Sequence, residues 1–400
     1  MKFIKVFYAF ALIILGVFSI TCSAQNSGQE SQADSNASMS EVYGSKEIHK
    51  NFNVEKGQKL SINLKTGGSI SITAWGKNEV KVDASIDGED WEDFLVEFEK
   101  DNSGININSR FKHQHDNVSS NAHFDIVVPS EFDIELNTMG GSLTIDGVNG
   151  KISGQTMGGG LTLSNLKGYL DLSTMGGNVS LTKSEVDGNV HTMGGEVDFE
   201  DITGDVKGSS MGGKVTMKNV TRKSGESTGD EVDISSMGGE INVDTAPNGA
   251  NVSTMGGEIN ISSAKKFVKA KTMGGNIKID DVDGSVNAST MSGKINVKEI
   301  CNPNDGDRDI ELESQDGDIT LFVPAGFSMD VDITLSYTKD MEGKYKIISD
   351  FDLDRTQTDK WDHHKGSARK YIYGKASING GKNKVTIKTI NGDVHLEKIE

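Results

Sequence analysis

Apolar and polar residues alternate along the middle of the chain, and the alternation is tied to a repeated Met-Gly-Gly triplet. Counting each methionine as position 1, positions 5 and 7 are apolar in every copy, which is typical of a strand with one buried face. We therefore expect both positions to point inward. The triplet occurs at Met139, Met157, Met175, Met193, Met211, Met237, Met255 and Met273, with Met291-Ser292-Gly293 as a ninth copy. The apolar pairs are Leu143/Ile145, Leu161/Leu163, Val179/Leu181, Val197/Phe199, Val215/Met217, Ile241/Val243, Ile259/Ile261, Ile277/Ile279 and Ile295/Val297.

The repeat length is 18 residues, except for one step of 26 between Met211 and Met237. A second, shorter apolar set follows a Val-x-Gly-like turn, so each repeat holds two short strands and two glycine turns. One such unit cannot bury its apolar face alone, but units stacked in register at ~4.8 Å can. We predict an all-β fold, a single-stranded parallel β-helix (β-solenoid) with rungs of about 18 residues. An antiparallel meander is the alternative, but it gives no reason for so strict a period.

The sequence outside the regular repeats predicts an insertion within the array and separate segments on either side of it. The long step contains a polar insertion at residues 222–230, which we expect to form an external loop. The predicted organisation is an export signal peptide at residues 1–24, a flexible polar linker at 25–48, an N-terminal β cap at 49–137, the repeats at 138–300, and C-terminal β rungs with a cap at 301–400. Atypical terminal repeats prevent end-to-end association of a stack.

Degenerate copies of the repeat lie outside the array, and they carry a family resemblance. They are residues 66–72, 314–319 and 389–394, and the last two have the form Ser/Thr-x-x-Gly-Asp/Glu-Ile/Val. Val128-Pro129-Ser130 and Val323-Pro324-Ala325 lead into or out of such segments, and proline suits an edge or the start of a strand. Residues 50 to 400 thus resemble the bacterial "putative adhesin" β-strand-repeat family. The resemblance implies a parallel β-helix exposed at the cell envelope; Met-Gly-Gly in place of Ser-Gly-Asp is a departure from that pattern.

The start of the chain predicts export. Lys2 and Lys5 precede an apolar run at residues 6–20 that is too short to span a bilayer comfortably. Its end allows cleavage after Ala24 or a lipid anchor on Cys22, and the polar linker suits an anchored domain. We expect an extracytoplasmic protein in the periplasm, on the outer membrane surface or secreted, with no transmembrane span in the mature chain.

The charge and composition of the chain limit the classes of partner that it can bind. The formal net charge is -18, and the lysines are scattered among acidic residues, so nucleic acid is excluded as a partner. The 47 glycines and 4 prolines indicate many tight turns. A glycan or a surface protein is the expected partner.

The methionine column allows two interpretations. Thioethers are soft ligands that select Cu(I), which would make the column a copper site. Methionine is also a flexible filler of irregular gaps, and nine exposed copies would form an apolar, oxidisable strip. We therefore expect the column to face inward. The outward residues at position 4 mix charges, which indicates a solvated face. The Thr/Ser residues at position 18 we interpret as strand formers whose hydroxyls stack.

Other chemistry-bearing residues give weak patterns. Cys301 lies before a turn-rich loop with no histidine nearby in sequence, so we expect no nucleophile there. Asp280-Asp281-Val282-Asp283-Gly284 and Asp305-Gly306-Asp307 lack the register of a calcium loop. His113-x-His115 near Asp116, and His363-His364 near Asp362, provide two ligands each with no third.

No sequence motif of catalysis is present: there is no nucleophile elbow, phosphate loop or His-Glu-x-x-His pattern. We predict no catalytic, cofactor-binding or metal-binding residues, no cofactor, and a non-enzymatic envelope module that acts as an adhesin or a structural interaction protein. A β-helix enzyme acting on polysaccharide, a lyase or a hydrolase, is the alternative, because such sites meet only in three dimensions.

Overall fold

The computed structural model describes residues 44–113, 120–221, 232–301, 306, 308–364 and 366–399. These residues form an all-β protein of 30 strands joined by hydrogen bonds into one sheet, with two three-residue 3₁₀ helices, Trp91–Asp93 and Lys339–Met341. The predicted all-β class is confirmed. Within the described residues, no helix has the length and apolar character needed to cross a membrane. The predicted signal peptide, most of the linker, and Cys22 lie outside the described residues.

The strands before the array are β1 (Ser45–Asn53), β2 (Lys59–Leu64), β3 (Ser69–Trp75), β4 (Glu79–Gly88), β5 (Phe94–Lys100), β6 (Gly104–Phe111) and β7 (Ser120–Pro129). Those of the array are β8 (Asp133–Thr138), β9 (Leu143–Asp146), β10 (Asn149–Thr156), β11 (Leu161–Ser164), β12 (Lys167–Thr174), β13 (Val179–Thr192), β14 (Val197–Thr203), β15 (Val206–Ser210), β16 (Val215–Thr221), β17 (Val232–Ser236), β18 (Ile241–Ala246), β19 (Ala250–Ser253), β20 (Ile259–Lys271), β21 (Ile277–Thr290) and β22 (Ile295–Glu299). Those after it are β23 (Ile310–Ser314), β24 (Ile319–Pro324), β25 (Met329–Thr338), β26 (Ile347–Ser349), β27 (Asp354–Gln357), β28 (Arg369–Ile378), β29 (Asn383–Ile390) and β30 (Val394–Ile399).

Strands one repeat apart pair in parallel and in register. Leu161 is paired with Leu143 on one side and with Val179 on the other, so equivalent residues of three repeats are direct neighbours. Across the 26-residue step the register resumes, because Val215 pairs with Ile241. The inserted residues 222–231 lie outside the described residues, and the pairing on both sides of them is continuous.

The core follows from this register. The residues at positions 5 and 7 of all nine copies are at most 2 % exposed, which confirms their predicted inward orientation. Complete burial of a Val, Leu or Ile side chain contributes roughly 1.5–3 kcal/mol. Stacking thus converts an apolar pair that one repeat could not bury into a continuous interior.

The degenerate copies belong to the same stack, but not in chain order. Ile70 pairs with Leu143, and Ile319 pairs with Ile295, so β3 and β24 continue the array at either side. The last strands, β29 and β30, then lie between earlier ones: β29 pairs with both β23 and β25, and β30 with both β24 and β26. Antiparallel pairs, such as β1 with β4 and β25 with β28, are found in the flanking parts.

The two flanking prolines end strands rather than start them. Pro129 is the last residue of β7, and Pro324 is the last residue of β24. A proline has no N–H for a strand ladder, and a strand end tolerates this loss as well as a strand start does. The sequence suggested an edge or the start of a strand for these prolines, and the structure places both at the end of a strand.

Candidate functional site

The methionine column faces solvent, which contradicts the inward orientation expected from the sequence. All nine side chains are exposed, from 38 % at Met211 to 57 % at Met139. The residue before each methionine is Thr or Ser, and its side chain is buried and points inward at the corner. The chain then turns at the corner, and the methionine points out. The nine side chains are Met139, Met157, Met175, Met193, Met211, Met237, Met255, Met273 and Met291.

The Thr/Ser column at position 18 holds the corner together. The Thr192 hydroxyl donates to the Gly177 carbonyl of the preceding rung at 2.8 Å and accepts the N–H of Gly195 at 3.1 Å. The bond to the preceding rung recurs through the array, for example from Thr290 to Gly275 at 3.0 Å. These hydroxyls satisfy buried backbone groups between rungs, a role that the sequence interpretation as strand formers missed.

The two glycines of each triplet have different roles. At position 3, a Cβ on Gly177 would lie 2.3 Å from the carbonyl carbon and oxygen of Gly159, so only glycine fits between the rungs. At position 2, a Cβ on Gly176 would have Gly158 O as its nearest neighbour at 3.5 Å, an ordinary contact. Ser292 occupies position 2 in the ninth copy. The fold therefore requires the glycine at position 3 but not the one at position 2. A glycine at position 2 has no side chain, so it leaves open space next to the methionine.

The surroundings of the column are polar. Position 17 is partly or fully exposed along the array, and at one end Asn137 and Gln155 line an open groove together with Met139, Met157 and Lys65. Position 4 mixes acidic, basic and neutral residues, and Lys214 lies 3.7 Å from Glu240 of the next rung. Exposed pairs of this kind contribute less than about 1 kcal/mol, as expected for a solvated face.

Cys301 lies in a buried polar cluster. Cys301 is 5 % exposed, and its thiol is hydrogen-bonded to the carboxyl group of Glu299, which is fully buried. Arg308 donates to Asp283 Oδ1 at 2.7 Å and approaches Glu299 Oε1 only to 3.7 Å. Burial raises the pKa of Glu299 to about 8 and the pKa of Cys301 to about 12. Such a thiol stays protonated at neutral pH, which removes the reactive thiolate form.

The aspartates and histidines flagged in the sequence are dispersed in the structure. Asp280 pairs with Lys278 at 2.8 Å, Asp281 with Lys298 at 2.8 Å, and Asp283 with Arg308. In the part of the chain that the structure describes, no group of three or more His, Cys, Asp or Glu side chains could hold a metal ion.

Of the paired histidines, His113 Nδ1 lies 3.0 Å from Asp93, while the backbone N–H of His364 donates to Asp362 at 2.9 Å. His115, Asp116, Asp305 and Asp307 lie outside the described residues.

Comparisons with known proteins add little. No protein-family model matches the chain, and no curated protein matches it. Three solved structures show low similarity. A putative cell adhesion protein from Clostridium sporogenes is 10 % identical over 89 % of this chain and 100 % of its own, with a TM-score of 0.18. A putative adhesin from Bacteroides fragilis is 17 % identical over 61 % and 97 %, with a TM-score of 0.27. A putative adhesin from Parabacteroides distasonis is 13 % identical over 68 % and 94 %, with a TM-score of 0.31. At these TM-scores the function of this chain does not follow from theirs.

Proposed function

We propose that this protein is a non-enzymatic β-solenoid of the cell envelope that works as an adhesin or a structural interaction module, binding its partner along a face of the stack. The observation that carries the proposal is the in-register array of nine repeats. It fills its interior with apolar residues at positions 5 and 7, and presents the same exposed residue, methionine, at the same corner of each repeat. An extended face of this kind suits a long or broad partner better than a small substrate.

The solenoid interpretation rests on the pairing pattern. Strands of the array pair in parallel with the strand one repeat away, as β10 does with β8 and β12. In three repeats the two predicted strands are continuous, as β13, β20 and β21. A chain that winds once per repeat as a single-stranded parallel β-helix accounts for this pattern and for the fixed period.

The envelope location rests on the start of the chain. Lys2 and Lys5 before the apolar run at residues 6–20 have the pattern of an export signal. Cell fractionation with labelled palmitate tests this part of the proposal. We expect the chain outside the cytoplasm, and palmitate on Cys22 would identify a lipid anchor. An uncleaved chain in the cytosol would contradict export.

The interaction role is tested by binding without turnover. The mature chain, applied to glycan and surface-protein arrays, should retain at least one class of ligand and release no product from it. The insertion at residues 221–230 and the loop at 302–308 are further carriers of specificity, because loops on a rigid scaffold vary freely. If a polysaccharide were cleaved, and a single Asp, Glu or His substitution stopped the cleavage, the enzyme alternative would replace this proposal.

A further inference from the structure

The fold does not need methionine at position 1. Three repeats of the same stack pair in register with the array and keep the glycine at position 3, as Gly68, Gly317 and Gly392. At the methionine position they carry other residues, namely Thr66, Gln315 and Ile390. The same corner thus accepts a polar, an amide and a β-branched side chain.

Within the array, however, methionine is kept nine times out of nine at an exposed site. The exposed residues at position 4 differ from copy to copy, and even the buried residues at position 5 vary among Leu, Val and Ile. Packing therefore cannot account for a surface column that varies less than the core. A property of the thioether itself is the simpler reason.

The backbone sets the spacing of the thioethers. The Met255 N–H donates to the Met237 carbonyl at 3.1 Å, and the Met273 N–H donates to the Met255 carbonyl at 3.2 Å. Consecutive methionines therefore begin one strand spacing apart, ~4.8 Å. At the length of a zinc–thiolate bond, about 2.3 Å, a metal held linearly between two sulfurs would separate those sulfurs by about 4.6 Å. The rung spacing thus matches a metal bridged by two neighbouring rungs, and the flexible methionine side chain absorbs the small difference.

The surroundings favour a soft cation in particular. Thioether sulfur is a soft ligand that selects Cu(I) over hard ions such as Ca²⁺ and Mg²⁺. The chain has a net charge of -18, and Glu196, Glu240 and Glu258 stand at position 4, three residues after their methionines. The bare glycine at position 2 leaves access to the sulfur. His191, two residues before Met193, adds an imidazole beside the column, and its Nδ1 is held by the Ser209 hydroxyl at 2.8 Å.

We propose that the column of nine exposed methionines binds soft monovalent cations of the Cu(I) class, each bridged by thioethers of adjacent rungs. This inference deepens the proposed function, because it gives one face of the stack a ligand. The sequence predicts an inward column, in which the thioethers would not reach a metal from solvent. The outward orientation removes that objection.

The test uses Ag(I), an air-stable cation of the same class, and the exported chain with Cys301→Ser so that no thiol contributes. Native mass spectrometry counts bound Ag(I), and NMR of ¹³C-methyl methionine follows the individual methyl groups. We expect about four bound cations, because nine methionines form at most four adjacent pairs that share no residue, and methyl shifts along the column. The buried Met217 and Met329, at 2 % and 0 % exposed, should not shift.

A variant carrying Met175→Leu, Met193→Leu and Met211→Leu keeps the apolar bulk of the column and should bind about one fewer cation, because three separate adjacent pairs remain. The matched control, Met217→Leu, should bind as many as the parent. Unshifted column methyls in the parent, or an unchanged count in the triple variant, would overturn the proposal. The NMR result needs no substitution in the column, so misfolding of a variant cannot obscure it. Array binding measured without Ag(I) tests the proposed envelope function separately.

Discussion

The thiol of Cys301 is hydrogen-bonded to the carboxyl group of Glu299, and both groups are buried where β22 leaves the array. The two residues form a protonated pair at neutral pH, since the pKa of each is raised by burial. Among the described residues, Glu299 Oε2 and Arg308 Nη1 have no hydrogen-bond partner. Some polar atoms of the cluster therefore lack a hydrogen bond. Because burial raises the pKa of Glu299, the stability that this cluster provides depends on pH.

Glu299→Gln should remove a pH dependence of stability. The folded pKa of about 8 exceeds the ordinary value of 4.5, so the folded state keeps a proton that the unfolded state has lost between these values. Stability from this group is complete below pH 4.5 and declines toward pH 8, by at most about 1.4 kcal/mol per pH unit. Urea midpoints between pH 5 and 8 should fall for the parent and stay flatter for the variant. Glu196→Gln, at an exposed site, is the control, and equal slopes for parent and Glu299→Gln would contradict the prediction.

Neighbouring glycines of one triplet should differ sharply in their tolerance of alanine. Gly177→Ala places a Cβ 2.3 Å from the carbonyl of Gly159, so the rungs must move apart, at a cost of about 1–3 kcal/mol or more. Gly176→Ala meets its nearest atom at 3.5 Å and should change stability by less than about 0.5 kcal/mol. Urea denaturation of the two variants makes the comparison. A similar loss in both would mean that the spacing between rungs does not depend on position 3.

Thr192→Val should destabilise the array at a single corner. Valine has the shape of threonine but cannot bond the Gly177 carbonyl or the Gly195 N–H, so two backbone groups lose this partner, at a cost of about 1–3 kcal/mol. Thr192→Ser keeps both hydrogen bonds and should lose less. The free energies of unfolding of the two variants decide the matter, and a larger loss in Thr192→Ser than in Thr192→Val would assign the role to the methyl group rather than the hydroxyl.

Deletion of residues 223–230 should leave the stack intact. The deletion shortens the 26-residue step to the regular 18, and Val215 and Ile241 already pair in register across it. Shortening a surface connection changes loop entropy by less than about 1 kcal/mol. The circular dichroism spectrum and the urea midpoint should match the parent. An aggregated or unfolded product would show that the insertion supports the fold.

The sequence predicted the repeat well because a strict period is a global signal. The inward columns and the registration of Leu143, Leu161 and Val179 follow from a two-residue alternation within an 18-residue period. The orientation of the methionines was wrong because alternation holds only along a strand. At a corner the parity is reset, and hydrogen bonding by the residue at position 18 decides which side chain enters the interior. The constancy of Thr or Ser at position 18 was the available signal.

The arrangement of the flanking strands could not be predicted for a different reason. The degenerate copies were recognisable by their glycines, but nothing in their residues indicates which of them are neighbours. Strand order depends on how well whole surfaces fit, and a degenerate copy can satisfy the same pattern at several levels of the stack. The position of β29 between β23 and β25 could thus be seen only in the structure.

The position of β29 and β30 between earlier strands also means that this part of the stack is completed only after both strands have been synthesised. Since a chain is made from its N-terminus, β23 to β26 exist before β29 and β30, the two strands that must lie between them. Until the last 20 or so residues arrive, the strand edges of β23 and β24 that face away from the array lack their native neighbours. A nascent chain would therefore carry an open edge from the synthesis of β23 until β29 and β30 are made. Strands β29 and β30 therefore close this part of the stack, and a chain that lacks them leaves the edges of β23 and β24 open to association.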